Sequence, residues 1–405
     1  RIRDKGNPMK CFLDLGTSKI SAVLMRYKER NSEIMAFSSS ETSGVKRGSI
    51  VNTAQTTKSI AKVLNHLEKQ TGFKIKEIFV GLSGENISST NSIGQAVISD
   101  KEVSSSDIQE ALNLSSTMKV PSDKMLLDVV PNEYFIDGSG DIADPIGLKG
   151  VKLEVKTHVI YCSKKSIQNF QECLDNLGNL SARRYYFNQL GVAQCVLTEE
   201  EKKHGVCLID IGAGTTDLSV YRNGSIVFSK ILPYSGDYVT ESIALSLQIP
   251  SRDAEEMKVR YGTAFADESD QELLYIKNDN EQKKISRKSL ASIIEKSLSR
   301  ILQNILSTIK ENGFEQQIPG GYVITGGTSN IEDMEKLAKK ITGSNSRVGE
   351  PIDSKQESMA NILKPEFSAV LGLTKFYALE QDKEFTFNQS KGIIARVLEW
   401  IRTEL

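Results

Sequence analysis

The chain has 405 residues, enough for two or three globular units with well-buried cores and far too many for a disulfide-stapled miniprotein. Lys and Arg total 51 against 52 Asp and Glu, so no broad basic field exists to hold a nucleic-acid backbone, and nucleic acid is not expected as a partner. With 39% hydrophobic and 25% charged residues the composition is globular, and no apolar run reaches the roughly 20 residues that span a bilayer.

Arg1 to Lys10 is polar, contains Gly6 and Pro8, and lacks the apolar centre of a signal peptide. Five cysteines, Cys11, Cys162, Cys173, Cys195 and Cys207, form no C-x-x-C pair, and the three histidines lie far apart. Neither a zinc site nor a disulfide framework is signalled. Most of the thiols sit in apolar runs such as Gly205-Val206-Cys207-Leu208-Ile209, which reads as burial in a reducing compartment and predicts a cytoplasmic protein.

The first ordered segment, Cys11 to Leu15, is an apolar strand carrying Asp14, and it ends in Gly16-Thr17-Ser18-Lys19 before a second short apolar strand, Ile20 to Met25. That is the pattern of a hairpin. The same grammar returns almost two hundred residues later. Val206 to Ile211 carries Asp210, Gly212-Ala213-Gly214-Thr215-Thr216-Asp217 follows, Leu218 to Tyr221 returns, and Asn223-Gly224 makes the next turn. An internal duplication is implied, with two α/β halves whose acidic hairpin tips can face each other across a cleft. Such tips suit phosphate: glycines let backbone N–H groups approach, hydroxyls donate, and one carboxylate per half can hold a hydrated magnesium ion.

A third glycine site, Tyr322-Val323-Ile324-Thr325-Gly326-Gly327-Thr328-Ser329-Asn330, runs from a strand into the helical stretch Ile331 to Ile341. There a flat base could lie against backbone, although an ordinary strand-to-helix turn has the same pattern. Between the second and third sites, Ser251 is placed to cap a helix holding Glu255 and Lys258, with the early acids complementing its dipole. A solvated helix start explains that stretch equally well.

These motifs resemble the actin/Hsp70/sugar-kinase superfamily. The first phosphate loop corresponds to Asp14 to Lys19, the second to Asp210 to Asp217, the adenosine motif to Ile324 to Asn330, and the connecting helices to Phe187 to Leu197 and Phe367 to Leu379. Within the superfamily, Val129-Val130-Pro131-Asn132-Glu133-Tyr134-Phe135, Asp144-Pro145-Ile146-Gly147 and His158, inserted after Gly81-Leu82-Ser83-Gly84, are similar to the subdomain called 1C of the bacterial cell-division FtsA family. Pro233-Tyr234-Ser235-Gly236-Asp237 and Ala254-Glu255-Glu256-Met257-Lys258 extend the resemblance into the second half.

The resemblance implies an α/β, actin-like two-domain fold with an interdomain nucleotide cleft and an inserted 1C subdomain. The expected bounds are 10–84, 163–196 and 365–380 for 1A, 85–162 for 1C, 197–239 and 308–364 for 2A, and 240–307 for 2B. A linker follows at 381–390, then a membrane-targeting helix at 391–405. ATP would contact Gly16, Thr17, Ser18, Lys19, Gly212, Ala213, Gly214, Thr215, Thr216, Gly236, Glu255, Lys258, Gly326, Gly327, Thr328 and Asn330, with Mg2+ held by Asp14 and Asp210 through water. Asp210 and Asn188 are the candidate catalytic residues. Active hydrolases of the superfamily tend to place Glu, Gln or Asp near the attacking water where this chain has Asn188-Gln189, and Asn cannot act as a base, so the protein is expected to be at most a slow ATPase. Ala213, where the superfamily often has glycine, should cost little.

Function by resemblance is a nucleotide-gated protein that polymerises on the inner face of the cytoplasmic membrane at the division site. It would tether the tubulin-like FtsZ there and recruit later division proteins through 1C. A small-molecule kinase of the superfamily or an actin-like pilus or shape scaffold are the competing readings. The acidic FtsZ tail is expected on 2B, where Arg287, Lys288, Lys296 and Arg300 flank an apolar stripe of helical spacing, Leu290, Ile293, Ile294, Leu298, Ile301, Leu302 and Ile305. At the end of the chain Ile393, Ile394, Val397, Leu398, Trp400 and Ile401 fall on one helical face after the polar run Glu380 to Gln389, and that face is expected to lie in a lipid interface.

Overall fold

Met9–Leu15 (β1) is buried along most of its length and returns as Lys19–Lys28 (β2), the hairpin expected from the sequence. The computed structural model describes residues 8–28, 31–117, 120–178, 180–267, 270–278, 281–352 and 361–389. Asn31–Glu41 (β3) extends the hairpin, and the short pair Val45–Lys46 (β4) and Ser49–Ile50 (β5) leads into the helix Thr53–Thr71 (α1). The Asn52 side chain caps α1 by accepting from the Gln55 N–H, and Gly72 ends it in the left-handed conformation. Ile60, Val63, Leu64 and Leu67 on one face of α1 pack on the sheet, which Glu77–Leu82 (β6) joins parallel to β1.

The inserted module follows: Ile87–Val97 (β7), Ser105–Thr117 (α2), Lys124–Ile136 (β8), Ser139–Ile142 (β9) and Lys152–Ser163 (β10), with strand order β7-β10-β8-β9. Its own small core is built from Ile108, Ala111 and Leu112 of α2 against Val129, Leu153, Val155 and Val159. Pro131, within β8, lies at a bulge opposite Thr157, where the ladder can spare an N–H. The chain returns through Lys164–Asp175 (α3) and Ser181–Phe187 (β11), then enters Asn188–Val196 (α4), which crosses to the second half.

There Glu199–His204 (α5) precedes Val206–Ile211 (β12), Thr216–Arg222 (β13) and Ser225–Leu232 (β14). Gly236–Leu247 (α6), Ser251–Tyr261 (α7), the hairpin Leu273–Asn278 (β15) with Glu281–Ser286 (β16), and Arg287–Glu311 (α8) form the excursion above that sheet. Tyr322–Thr325 (β17), Met334–Thr342 (α9) and Ser346–Val348 (β18) complete the half, and Ser368–Gln389 (α10) crosses back.

The duplication inferred from two hairpins is repeated in whole sheets. One orders its strands β11-β6-β1-β2-β3 and the other β18-β17-β12-β13-β14. In each, the central strand pairs parallel with one neighbour and antiparallel with its hairpin partner. Every cysteine is buried and unpaired, and all the apolar residues named on α8 are buried except Ile293, which is half-buried.

The insert stands on both halves. Its β8 meets β11 of the first sheet, where Arg184 pairs with Asp128 at 3.5 Å. Its β7 and β10 meet β14 of the second, where Ser89 Oγ and Asn91 Nδ2 donate to the carbonyls of Ser229 and Val227 at 2.9 and 3.0 Å. Buried His158 lies between Asn91 Oδ1 at 2.7 Å and Ser229 Oγ at 2.8 Å.

Three local expectations change. Ser251 is the first residue of α7 rather than its cap, because Pro250 takes the cap position with φ −57° and offers no side-chain acceptor. The helix expected from Ile331 begins at Met334, after Asp333 in a left-handed conformation. Residues 381–389, expected as a linker, continue α10, with Glu380 accepting from Arg184 and Asp382 from the Tyr27 hydroxyl at 2.8 Å. The polarity at the start of that run serves pairing with the body. The expected lipid-facing residues Ile393, Ile394, Val397, Leu398, Trp400 and Ile401 lie outside the described residues, and no described helix is long and apolar enough to cross a membrane.

Candidate nucleotide site between the two halves

Both acidic hairpins close with the same turn. The Gly16 N–H donates to the Lys19 carbonyl and the Gly212 N–H to the Thr215 carbonyl, each at 3.0 Å. The tips come together: a Cβ built on Gly214 would stand 2.4 Å from Thr17 Oγ1, which accepts from the Gly48 N–H at 3.0 Å. Ser18 ties this loop to the sheet by accepting from the Thr42 N–H at 2.9 Å. Thr216 donates to the Tyr234 carbonyl at 2.6 Å, so its hydroxyl braces the second loop from behind.

Behind the tips, the carboxylates Asp14, Asp210 and Asp217 converge. Burial pushes Asp14 up to about 6, against the hydrogen bond that Asn188 Nδ2 donates to it at 2.8 Å. Burial, then the neighbouring Asp14 charge, pushes Asp210 up to about 7. Asp217 is raised well above the ordinary range by burial and by Asp210; Thr215 Oγ1 donates to its Oδ1 at 3.2 Å, while its Oδ2 is buried without a partner. Asn188 Oδ1 is likewise unpartnered. Crowded carboxylates and orphaned oxygens are what a cation and its bound water would satisfy. Among the described residues no three such groups are close enough to grip a metal directly, so the set fits a hydrated ion.

The remaining sequence-predicted residues form the far wall. Gly236 opens α6 with its N–H on the Gly212 carbonyl at 2.9 Å, and the Asp237 N–H reaches the Ala213 carbonyl at 2.8 Å. Lys258, on α7, donates to the Gly236 carbonyl at 3.2 Å and to Thr240 Oγ1 at 2.8 Å, and pairs with Glu255 at 2.6 Å. Thr328 donates to the Gly212 carbonyl at 3.2 Å. Gly326 has φ +87°, and a Cβ there would sit 2.2 Å from Asp210 Oδ1, so glycine is required for the third loop to pass the acid. Gly327 is exposed, with only Glu366 Cβ, at 3.7 Å, in reach of a new Cβ.

This chain is similar to proteins of known family. The model for cell division protein FtsA matches residues 207–372, and that for the SHS2 domain inserted in FtsA matches residues 84–161. Cell division protein FtsA of Pseudomonas aeruginosa is 33% identical over 377 residues, covering 92% of this chain and 89% of that one. The chain belongs to the FtsA family of cell division proteins. FtsA of Neisseria meningitidis is 32% identical over 402 residues, 96% of this chain and 97% of its own.

The FtsA-family fold is actin-like. A chain of a PilM-PilN type IV pilus biogenesis complex superposes with a TM-score of 0.65 at 17% identity, over 90% of this chain and 97% of that one. MreB5 of Spiroplasma citri bound to ADP gives 0.55 at 13%, over 95% and 99%.

Two residues of the site escaped sequence reasoning. Asp217 closes a motif but was not singled out as a site group, and Glu366, from the turn before α10, joins Lys19 at 3.5 Å to Asn330 at 2.6 Å across the cleft. Gln189, beside Asn188, is fully buried and structural: it donates to the Asp217 carbonyl at 3.1 Å and accepts from Ser219 Oγ at 2.7 Å. The expected basic face on α8 divides. Arg287 is shared among Asp270, Glu272 and Glu332 at 3.2 to 3.5 Å and Lys288 is half-buried, whereas Lys296 and Arg300 are exposed one turn apart.

The raised carboxyls give a pH dependence with a defined sign. Between their unfolded value near 3.8 and the native values of about 6 and 7, Asp14 and Asp210 bind more protons in the native chain than in the unfolded one, so their contribution to stability falls as pH rises through that window. His158, pushed down to about 4 by burial, has the opposite slope. The carboxyl part is therefore read as the difference between wild type and Asp210→Asn. The melting midpoint of Asp210→Asn should gain on wild type between pH 5 and 7.5, and saturating Mg2+ should shrink the gap. Parallel pH profiles would contradict the assignment.

Proposed function

We propose that the chain binds Mg-ATP between its halves and uses it to gate self-assembly at the inner face of the cytoplasmic membrane. There it would anchor FtsZ and recruit later division proteins through the insert. The convergence of two matching acidic hairpins on one set of raised carboxylates carries this reading; a related fold, MreB5 of Spiroplasma citri, is known bound to ADP and to AMPPNP. Gly16, Thr17, Ser18, Gly212, Gly214 and Thr215 would meet the phosphates, and Asp14 and Asp210 would hold the ion's water shell, with magnesium supplying charge neutralisation at the phosphates. The exposed Lys296 and Arg300 would attract an acidic FtsZ tail, and residues 391–405 would lie in the lipid interface.

Calorimetry tests the cleft. Gly327→Asp puts a charge where the base would lie, and because a Cβ there meets only ordinary contact, the fold should survive while ATP affinity drops about tenfold or more. Unchanged affinity would sink the site.

Turnover should fall well below the roughly 1 to 10³ per second of ordinary enzymes. Asn188, which donates to Asp14, is an amide and cannot take a water's proton. Steady-state phosphate release in the ordinary range, from protein free of contaminating ATPase, would refute this.

A further inference from the structure

Glu366 belongs to neither hairpin nor the third glycine loop, yet it touches both sides of the cleft. Its carboxylate takes the Lys19 ammonium at 3.5 Å and accepts from Asn330 Nδ2 at 2.6 Å, and its side chain is 19% exposed. Lys19 is steadied in turn by the Phe367 ring, with its ammonium 4.8 Å from the centroid. An ionised carboxylate has lone pairs to offer and no proton to donate. An amide facing it must therefore turn its NH2 inward, whichever way it would rest alone. Asn330 is exposed, and with its NH2 held by Glu366 the group it has left for a ligand is its carbonyl oxygen. Gly327, three residues earlier in the same turn, leaves backbone bare on that side.

The geometry points to Glu366 as the residue that sets base selectivity, acting through Asn330: by fixing the amide, it presents an acceptor to the edge of the bound purine. This rests on nucleotide binding as proposed above. An acceptor matches the exocyclic amine of adenine and opposes the keto oxygen of guanine, because two acceptors face to face leave both unsatisfied. Glu366 is thus a positioning residue. Neutralising it without changing its shape would let the Asn330 amide turn over, since a glutamine can accept from the NH2 or donate to the carbonyl.

Calorimetry of the full chain with Mg-ATP and Mg-GTP tests this. Wild type should favour ATP about tenfold or more, and Glu366→Gln should cut that ratio about fivefold or more by gaining GTP affinity as well as losing ATP affinity. Glu366→Asp, which keeps an acceptor-only group, should retain the preference. A merely structural role would weaken both nucleotides in proportion and leave the ratio unmoved; an unmoved ratio in a Glu366→Gln protein with wild-type melting overturns the assignment. If Glu366→Gln unfolds, Asn330→Asp supplies the second reading: it carries only acceptors, so ATP preference should persist, and its loss would also overturn the assignment. Wild-type protein binding neither nucleotide would fail at the nucleotide site itself and take this inference with it.

Discussion

Gly372→Ala is expected to lower the melting midpoint by roughly 5 °C or more, through a loss of about 3 kcal/mol of packing. The helices α4 and α10 cross between the two halves with glycine against glycine. A Cβ on Gly372 would stand 2.2 Å from the Gly191 carbonyl oxygen, 2.3 Å from its carbon and 2.7 Å from the Val192 nitrogen. All three are backbone atoms, so no rotamer change can relieve the overlap and the helices must part. Parting them moves Asn188 at the start of α4 and Glu366 just before α10, so ATP affinity should fall with stability. Gly191→Ala meets the Leu373 nitrogen at 2.8 Å and should behave similarly but less severely. A Gly372→Ala protein melting within a degree of wild type would show that this crossing is not tightly fixed.

Arg184→Ala should cost about 3 kcal/mol, chiefly by taking the guanidinium's charge away from two largely buried carboxylates. Arg184 donates from Nη1 to Glu380 at 2.5 Å and to the Tyr186 hydroxyl at 3.2 Å, pairs with Asp128 at 3.5 Å, and stacks on the Tyr186 ring at 4.1 Å. Side-chain exposure is 10% for Arg184 and Asp128 and 19% for Glu380, so water compensates poorly for the lost guanidinium. One guanidinium thereby joins the first sheet, the insert and α10. Beyond the lower midpoint, hydrogen exchange should quicken in β8 and in the last turns of α10 together. Removing the charge as a set, with Arg184→Met, Asp128→Leu and Glu380→Leu, should recover most of the loss. If Arg184→Ala melted like wild type, the trio would be a solvated cluster without a joining role.

The repeated hairpins were legible because each is local: an apolar strand, an acid, a glycine turn and a returning strand lie within one short stretch, Cys11 to Met25 or Val206 to Tyr221, and turn chemistry fixes their register. The α8 stripe was legible for the same reason, since its 3.6-residue period is written in one stretch. Resemblance to the FtsA family added the insert and the order of the parts, and the family assignment is established by similarity along nearly the whole chain.

What only tertiary structure decided is which polar residues meet. Glu366 and Asn330 are 36 positions apart, His158 and Ser229 are 71, and Arg184 and Glu380 are 196. In sequence nothing joins the members of each pair, and the run after Glu380 reads as a linker. Hydrophobic burial has a period that a chain displays along its length, whereas a hydrogen bond between distant segments leaves no periodic trace. Its partner exists only once the two sheets, the crossing helices and the insert have packed.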